Sequence, residues 1–350
     1  MSAMPQPAPD EALPETVLDA LGERVQIDIY LDADTRRQQL AEDVRTGLSS
    51  RPKSLLPKYF YDATGAALFG KITDLPEYYL TRAERDIMAK VARDLMGTLK
   101  PDEIVELGPG SPTKANWLLQ AADPARAVQR YIALDVDPIG LTACAAELCP
   151  AHESLRVHGI VGDIQRDLIH TPQPEGRRLV AFFGSTIGNF HPEERLALLR
   201  QVRTLLGPEG RFLLGLDLVK DTRTLEHAYN DSAGVTAAFN RNILRVLNNA
   251  LDGDFEPLAY RHYAFFNSRE SRIEMHLIPN THQEALLRRL PLSVRIAPGE
   301  GIWTESSYKF TAQAVHAMAA DSGMAVDAWF TDGAFALALL KPIDQRPASA

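Results

Sequence analysis

Short apolar runs separated by amphipathic stretches set the rhythm in the middle of the chain. Glu103–Leu107, Arg130–Asp135, Leu155–Val161, Leu179–Gly184 and Arg211–Leu216 are such runs, bounded by turn residues. Continuous apolar segments of this length suit strands covered on both faces. Between them lie helical patterns such as Ser111–Ala122 and Glu193–Leu206. The second begins after Pro192, which fits a first helical turn, and stops before Gly207-Pro208. This alternation predicts an α/β fold built on a doubly wound parallel sheet.

The rhythm breaks in two places. Asp34–Leu48 has Leu40, Val44 and Leu48 at helical spacing, and Pro52 and Pro57 bracket a loop before Tyr59-Phe60-Tyr61-Asp62. Thr224–Ala250 predicts one or two helices, and Tyr263–Asn267 and Arg272–Leu277 predict strands. These segments imply a second, discontinuous α+β domain from 31–95 and 218–305, inserted in a Rossmann-like domain of 96–217 and 306–343. The latter ends with a helix, Thr311–Ser322, and two strands, Met324–Phe330 and Ala334–Leu340. Thr331-Asp332-Gly333 between those strands is a hairpin signal, so the sheet should close with an antiparallel pair. Residues 1–30, which begin acidic and proline-rich, and 344–350 read as tails; the first lacks the basic and apolar regions of a signal peptide.

The stretch Glu103 to Lys114 carries the first chemical signal. A strand meets Gly108 and Gly110 and then a helix, so a ligand can approach the backbone and the helix's free N–H groups. Thr113 stands where a dinucleotide fold would have its third glycine, and no glycine precedes Lys114 as in a Walker loop. With the acid Glu106 on the strand, the turn predicts a nucleoside-type cofactor held without strong phosphate contacts. Asp135, at the end of the second strand, is placed to accept ribose hydroxyls or to cap the helix after Pro138. Asp163 is placed to accept from an adenine amino group or to shape a turn. In Phe183–Phe190, Asn189 suits either a substrate contact or a helix cap.

Composition narrows the partners. A net charge of −9 argues against a nucleic-acid binder and against adsorption to anionic membranes. Cys144 and Cys149, five apart, do not form a disulfide framework and fit a reduced cytoplasmic setting. No spacing of His, Cys, Asp and Glu suggests a metal, and no Gly-x-Ser-x-Gly elbow suggests a hydrolase. The expected partner is a small molecule, and the expected state is a monomer.

Several segments together are more specific. The terminal strand pair resembles the class I S-adenosylmethionine methyltransferases. Pro52–Asp62, Leu75–Glu84, Phe183–Asn189, Asp217–Asp221, Gly234–Asn242, Arg272–Met275 and Glu305–Phe310 resemble the histidine-specific N-alpha-methyltransferases of ergothioneine biosynthesis. The resemblance runs from about 35 to 341. It implies trimethylation of the α-amino group of L-histidine to hercynine, with S-adenosylhomocysteine as the second product and no metal. It implies cofactor contacts at Gly108, Gly110, Lys114, Asp135, Asp163 and Ile164. It also implies Tyr61 beside the amine, Asn189 and Tyr229 on the carboxylate, and Gly184 and Met275 among the substrate contacts. Tyr78 would lie near the imidazole, and Glu305 and Ser307 would read its nitrogens. Pro109, Pro112, Trp117 and Tyr308 depart from the family pattern, the last beside the Glu305/Ser307 pair. The same reaction on another amino acid or a thiohistidine, and a non-catalytic ligand sensor, are the competing readings.

Overall fold

The computed structural model describes residues 22–343. In chain order the first half comprises β1 (Val25–Ile29), α1 (Ala33–Ser49), β2 (Lys53–Ser54), α2 (Ala63–Thr73), α3 (Leu80–Leu99), β3 (Glu103–Leu107), α4 (Thr113–Ala121), β4 (Arg130–Asp135), α5 (Pro138–Ala151), β5 (Arg156–Val161) and β6 (Arg178–Phe182). There follow α6 (Pro192–Leu205), β7 (Arg211–Asp217), α7 (Thr222–His227), α8 (Val235–Leu251), β8 (Tyr260–Asn267), β9 (Arg272–Pro279), β10 (Gln283–Leu287), β11 (Leu292–Ile296), β12 (Ile302–Tyr308), α9 (Ala312–Asp321), β13 (Met324–Thr331) and β14 (Phe335–Pro342).

The main sheet has the order β1-β5-β4-β3-β6-β7-β14-β13. Its first six strands are parallel, and β14 and β13 close it antiparallel. The five apolar runs all lie in it, as their continuous hydrophobicity requires of strands buried on both sides. Alternate side chains serve opposite faces. Ile104, Tyr131, Ala133, Val157 and Leu213 enter one core, whereas Val105, Leu107, Ile132, Leu134 and Leu214 enter the other. The strand order reverses between β3 and β6, which opens a crevice at the carboxyl ends of those strands.

One expectation is overturned. The tail drawn over 1–30 contains β1, which pairs in parallel with β5 from Val25↔Val157 to Ile29↔Val161. Val25 and Ile27 pack on the core, and the Asp28 carboxylate meets His158 Nε2 at 2.8 Å. Five residues beside an acidic, proline-rich segment are too short a run to announce a strand. Residues 1–21 and 344–350 lie outside the described residues.

The second unit is a four-stranded sheet, β2-β12-β9-β8, packed on α8. Phe239, Ile243, Leu244, Leu247 and Leu251 form the buried face of that helix, at i, i+4, i+5, i+8 and i+12. The boundaries drawn at 95 and 305 fall inside α3 and β12. Helix α3 packs on α4 and on β14, so it covers the main sheet. No helix among the described residues is long and apolar enough to cross a membrane.

The two units touch where the short turn Thr186–Asn189 lies against β12. A Cβ on Gly188 would stand 2.8 Å from the Tyr308 carbonyl oxygen and 3.2 Å from its nitrogen, both backbone atoms. Gly188→Ala should therefore force the turn away from β12 and cost about 1–3 kcal/mol, as overpacking usually does. Urea unfolding measures it; unchanged stability would show that the turn has room to shift.

Candidate active site

The crevice is floored by the glycine turn. Gly108 and Gly110 have φ of +59° and +60°, a left-handed conformation that favours glycine. Nothing lies within 4 Å of a Cβ built on Gly110, and only Ile164 Cδ1, at 3.4 Å, approaches one on Gly108. Asp135 faces this turn. Its carboxylate accepts from Gly110 N at 3.3 Å and from Asp137 N at 3.1 Å, and burial pushes it up from the ordinary carboxylate range. The cap of α5 is Asp137, which accepts from Ile139 N, so the capping alternative for Asp135 falls away.

Charged groups near the turn are paired with one another or with nearby polar groups. Glu106 is sealed under Tyr131, whose hydroxyl donates to it at 2.8 Å, and burial pushes it up to about 7. The carboxylate that faces the turn is thus Asp135. Lys114 Nζ lies 2.7 Å from the buried Glu84, which also accepts from Gly184 N at 2.8 Å. Asp163 shapes its own turn by accepting from Gln165 N at 2.9 Å, and it also holds Lys58 Nζ at 3.0 Å. Lys58 reaches in from the segment that carries Tyr61.

The opposite wall comes from the second unit. The register of β12 against β9 slips between Trp303 and Glu305, and Glu305 then pairs with Met275. A bulge of this kind re-aims the side chains beyond it. Glu305 and Ser307, two residues apart, share one face. Tyr308 takes the other, where its hydroxyl accepts from Arg272 at 2.6 Å and meets His191 Nδ1 at 3.1 Å. The departure at Tyr308 therefore lies away from the Glu305/Ser307 face. Met275 is fully buried in the adjoining core.

Four groups complete the wall. The Tyr229 hydroxyl and Ser307 Oγ are 2.8 Å apart, and Tyr78 stands edge-on to Tyr229 with centroids 6.4 Å apart. Asn189 is half-buried and makes no side-chain hydrogen bond among the described residues; the start of α6 is closed by Glu194, which accepts from His191 N at 2.8 Å. Tyr61 packs edge-on to Phe69 and Phe239 and is 43% exposed. Its phenol is nevertheless pushed well above its usual range by desolvation, and next by Glu305, Tyr229 and Asp135. A ring that is both exposed and desolvated lines an open cleft, within electrostatic reach of both Asp135 and Glu305.

Glu305 itself is half-buried, and burial pushes it up to about 7 against the opposing pull of Lys309. No side chain or backbone group among the described residues donates to its carboxylate; Trp303 Nε1 donates to its carbonyl oxygen at 2.8 Å. Sequence reasoning did not single out Glu84, Asp217, Lys220 or Lys309. Asp217 ends an apolar run, which was an available signal; Glu84 and Lys220 stand beside other charges and Lys309 follows a polar strand, so nothing in the sequence set them apart. No group of three or more His, Cys, Asp or Glu among the described residues is arranged to hold a metal.

A doubly wound sheet with an antiparallel close, and a glycine turn facing an acid on the next strand, define a nucleoside-binding α/β enzyme. The family described as histidine-specific methyltransferase, SAM-dependent, matches residues 40–342, and the chain belongs to that family. It is 44% identical to the histidine N-alpha-methyltransferase of Mycolicibacterium smegmatis, over 89% of this chain and 97% of that one. It is 41% identical to that of Mycobacterium tuberculosis, over 90% and 99%. It is also 29% identical to the Neurospora crassa protein called ergothioneine biosynthesis protein 1, over 77% of this chain and 33% of that one.

The raised Glu305 predicts a pH effect of definite sign. Its carboxyl gains a proton more readily folded than unfolded, so wild-type stability falls as pH rises from the ordinary 4.5 to about 7, then levels. Glu305→Gln escapes this loss. Relative to wild type it should gain about 1–3 kcal/mol between pH 5 and pH 8, since a tenfold change in proton affinity corresponds to about 1.4 kcal/mol. Urea titrations at the two pH values test this, and an unchanged difference would rule out the displaced carboxyl.

Proposed function

We propose that this chain transfers three methyl groups from S-adenosylmethionine to the α-amino nitrogen of L-histidine, giving hercynine, the first step of ergothioneine biosynthesis. The observation that supports this best is the half-buried Glu305 carboxylate without a protein donor, on the same face as Ser307, whose hydroxyl meets that of Tyr229, with Tyr61 in reach of both Glu305 and Asp135. A desolvated acceptor of this kind favours a ligand that brings a polar N–H and rejects an apolar side chain.

The residues present fit the cofactor. Open space over Gly110 admits a ligand against the backbone, and a desolvated carboxylate at Asp135 suits the paired hydroxyls of a ribose. Gly108, Gly110 and Lys114 would hold its methionyl end, with Asp135 at the ribose and Asp163 and Ile164 at the adenine. The bound cofactor supplies an electrophilic methyl carbon on a sulfonium.

What remains for the protein is alignment. Asn189 and Tyr229 hold the substrate carboxylate, while Glu305 and Ser307 take the imidazole beside Tyr78, with Met275 in the core behind them. With both ends fixed, the amine lies in line with the cleft's cofactor side, which accounts for much of the rate. The amine must first lose a proton, because an α-amino pKa is about 8. Tyr61, with its phenol pushed upward, keeps its own proton and orients the amine; the departing proton leaves along the exposed flank to water. Aromatic faces at Tyr61 and Tyr78 accommodate the growing cation. We further propose that the enzyme works as a cytoplasmic monomer on a free amino acid.

Incubation with histidine and S-adenosylmethionine should yield mono-, di- and trimethylhistidine by mass spectrometry; no methylated histidine would sink the proposal. Glu305→Ala should weaken histidine about 10–100-fold, from the 1.5–3 kcal/mol of a hydrogen bond to a charged group. Its affinity for S-adenosylhomocysteine should stay near wild type, and an equal loss of both ligands would remove Glu305 from the imidazole.

A further inference from the structure

Behind the substrate wall lies a lysine that none of the roles above uses. Lys309, the residue after β12, has a side chain with no exposed surface. Its Nζ donates to the Tyr229 hydroxyl at 3.0 Å and to Ser307 Oγ at 2.9 Å. It also forms an ion pair with Asp217 Oδ2 at 2.7 Å. An ammonium carries three N–H groups and no lone pair. Both hydroxyl oxygens of the wall therefore accept from behind.

Counting protons fixes what remains for a ligand. Tyr229 and Ser307 bring one hydroxyl proton each. At 2.8 Å apart, one of them donates to the other, which uses one proton. A single donor is left to face the cleft. The substrate carboxylate, set against Asn189 and Tyr229 in the reading above, accepts from the Tyr229 phenol. Ser307 must then turn its proton onto Tyr229, and it meets the ligand with a lone pair. Glu305, its neighbour on the same face, is also an acceptor.

We propose that Lys309 is a positioning residue that orients the Tyr229–Ser307 hydroxyl pair, so that Ser307 meets the substrate as an acceptor and the site selects an amino acid whose side chain donates at two points. The inference rests on the reading of the cleft as a histidine site. An imidazole meets the demand with both ring nitrogens protonated. A ring of equal size with one N–H and otherwise only acceptors would set a lone pair against Ser307.

The test compares histidine with β-(1,2,4-triazol-3-yl)alanine by calorimetry, with S-adenosylhomocysteine bound. Wild type should bind the triazole at least about tenfold more weakly, the scale of one opposed hydrogen bond. Equal affinities would overturn the assigned direction at Ser307. Lys309→Met alone leaves Asp217 Oδ2 with no facing group, so the role of Lys309 is read from two double variants that also remove the charge at 217. Asp217→Asn/Lys309→Gln keeps an N–H donor behind the hydroxyls and should keep most of the preference. Asp217→Asn/Lys309→Met has none and should bring the two ligands to within about threefold, because Ser307 is then free to turn either way. A preference that survives intact in the Met variant excludes Lys309. A general packing defect would weaken both ligands alike and leave their ratio unchanged, which also counts against the proposal. If a double variant fails to bind S-adenosylhomocysteine, the wild-type ratio still decides the direction at Ser307. Wild type that binds neither amino acid overturns the histidine reading itself, an outcome distinct from an unchanged ratio.

Discussion

One buried carboxylate joins the parts that make the site. Asp217, at the end of β7, is fully buried. It receives the Tyr79 hydroxyl at 2.7 Å and Lys220 Nζ at 2.5 Å on one oxygen, and faces Lys309 at 2.7 Å on the other. Its backbone N–H is tied to Ser185 Oγ at 2.8 Å. The turn before Asn189, the segment that carries Tyr78, and the end of β12 thus converge on a single residue of the main sheet. Removing Asp217 would leave the two lysines without compensation, at a cost of about 3–5 kcal/mol. The arrangement ties three separate segments to fixed atoms of one residue, a directed constraint that apolar contact does not supply.

Two other carboxylates show how environment divides labour. Glu106 and Glu305 are both pushed up to about 7, and burial is the leading cause in each. Glu106 has Tyr131 as a permanent donor and stays closed inside the sheet. Glu305 has no such donor and stands at the cleft. The same desolvation that makes one a structural group leaves the other in need of a ligand, so the partner and not the displaced titration separates them.

The main sheet was legible because its strands are apolar on both faces and its helices begin and end at proline and glycine. The second unit was harder to read. β12 is Ile-Trp-Thr-Glu-Ser-Ser-Tyr, a strand whose polar residues are there to line a cleft, and its alternation does not look like that of a strand at rest on a core. β10 and β11 pair only with each other and left no clear pattern. Asp135 was ambiguous because Asp137, two residues on, is an equally good cap in sequence and only their contacts tell them apart. Histidine was never legible from spacing. Glu305 and Ser307 gain meaning from the family resemblance and from their common face. Lys309 and Glu84 gain theirs from what they touch across 80 and 100 residues of chain.

The ion pair between Lys58 and Asp163 also works as a ruler. Lys58 sits inside the 3-10 turn Pro57–Phe60, and Tyr61 is the residue that ends it. Three residues of such a turn advance about 6 Å. The Tyr61 ring is therefore held one short backbone step from an anchor on the main sheet, and the same ion pair that joins the two units sets where that ring enters the cleft.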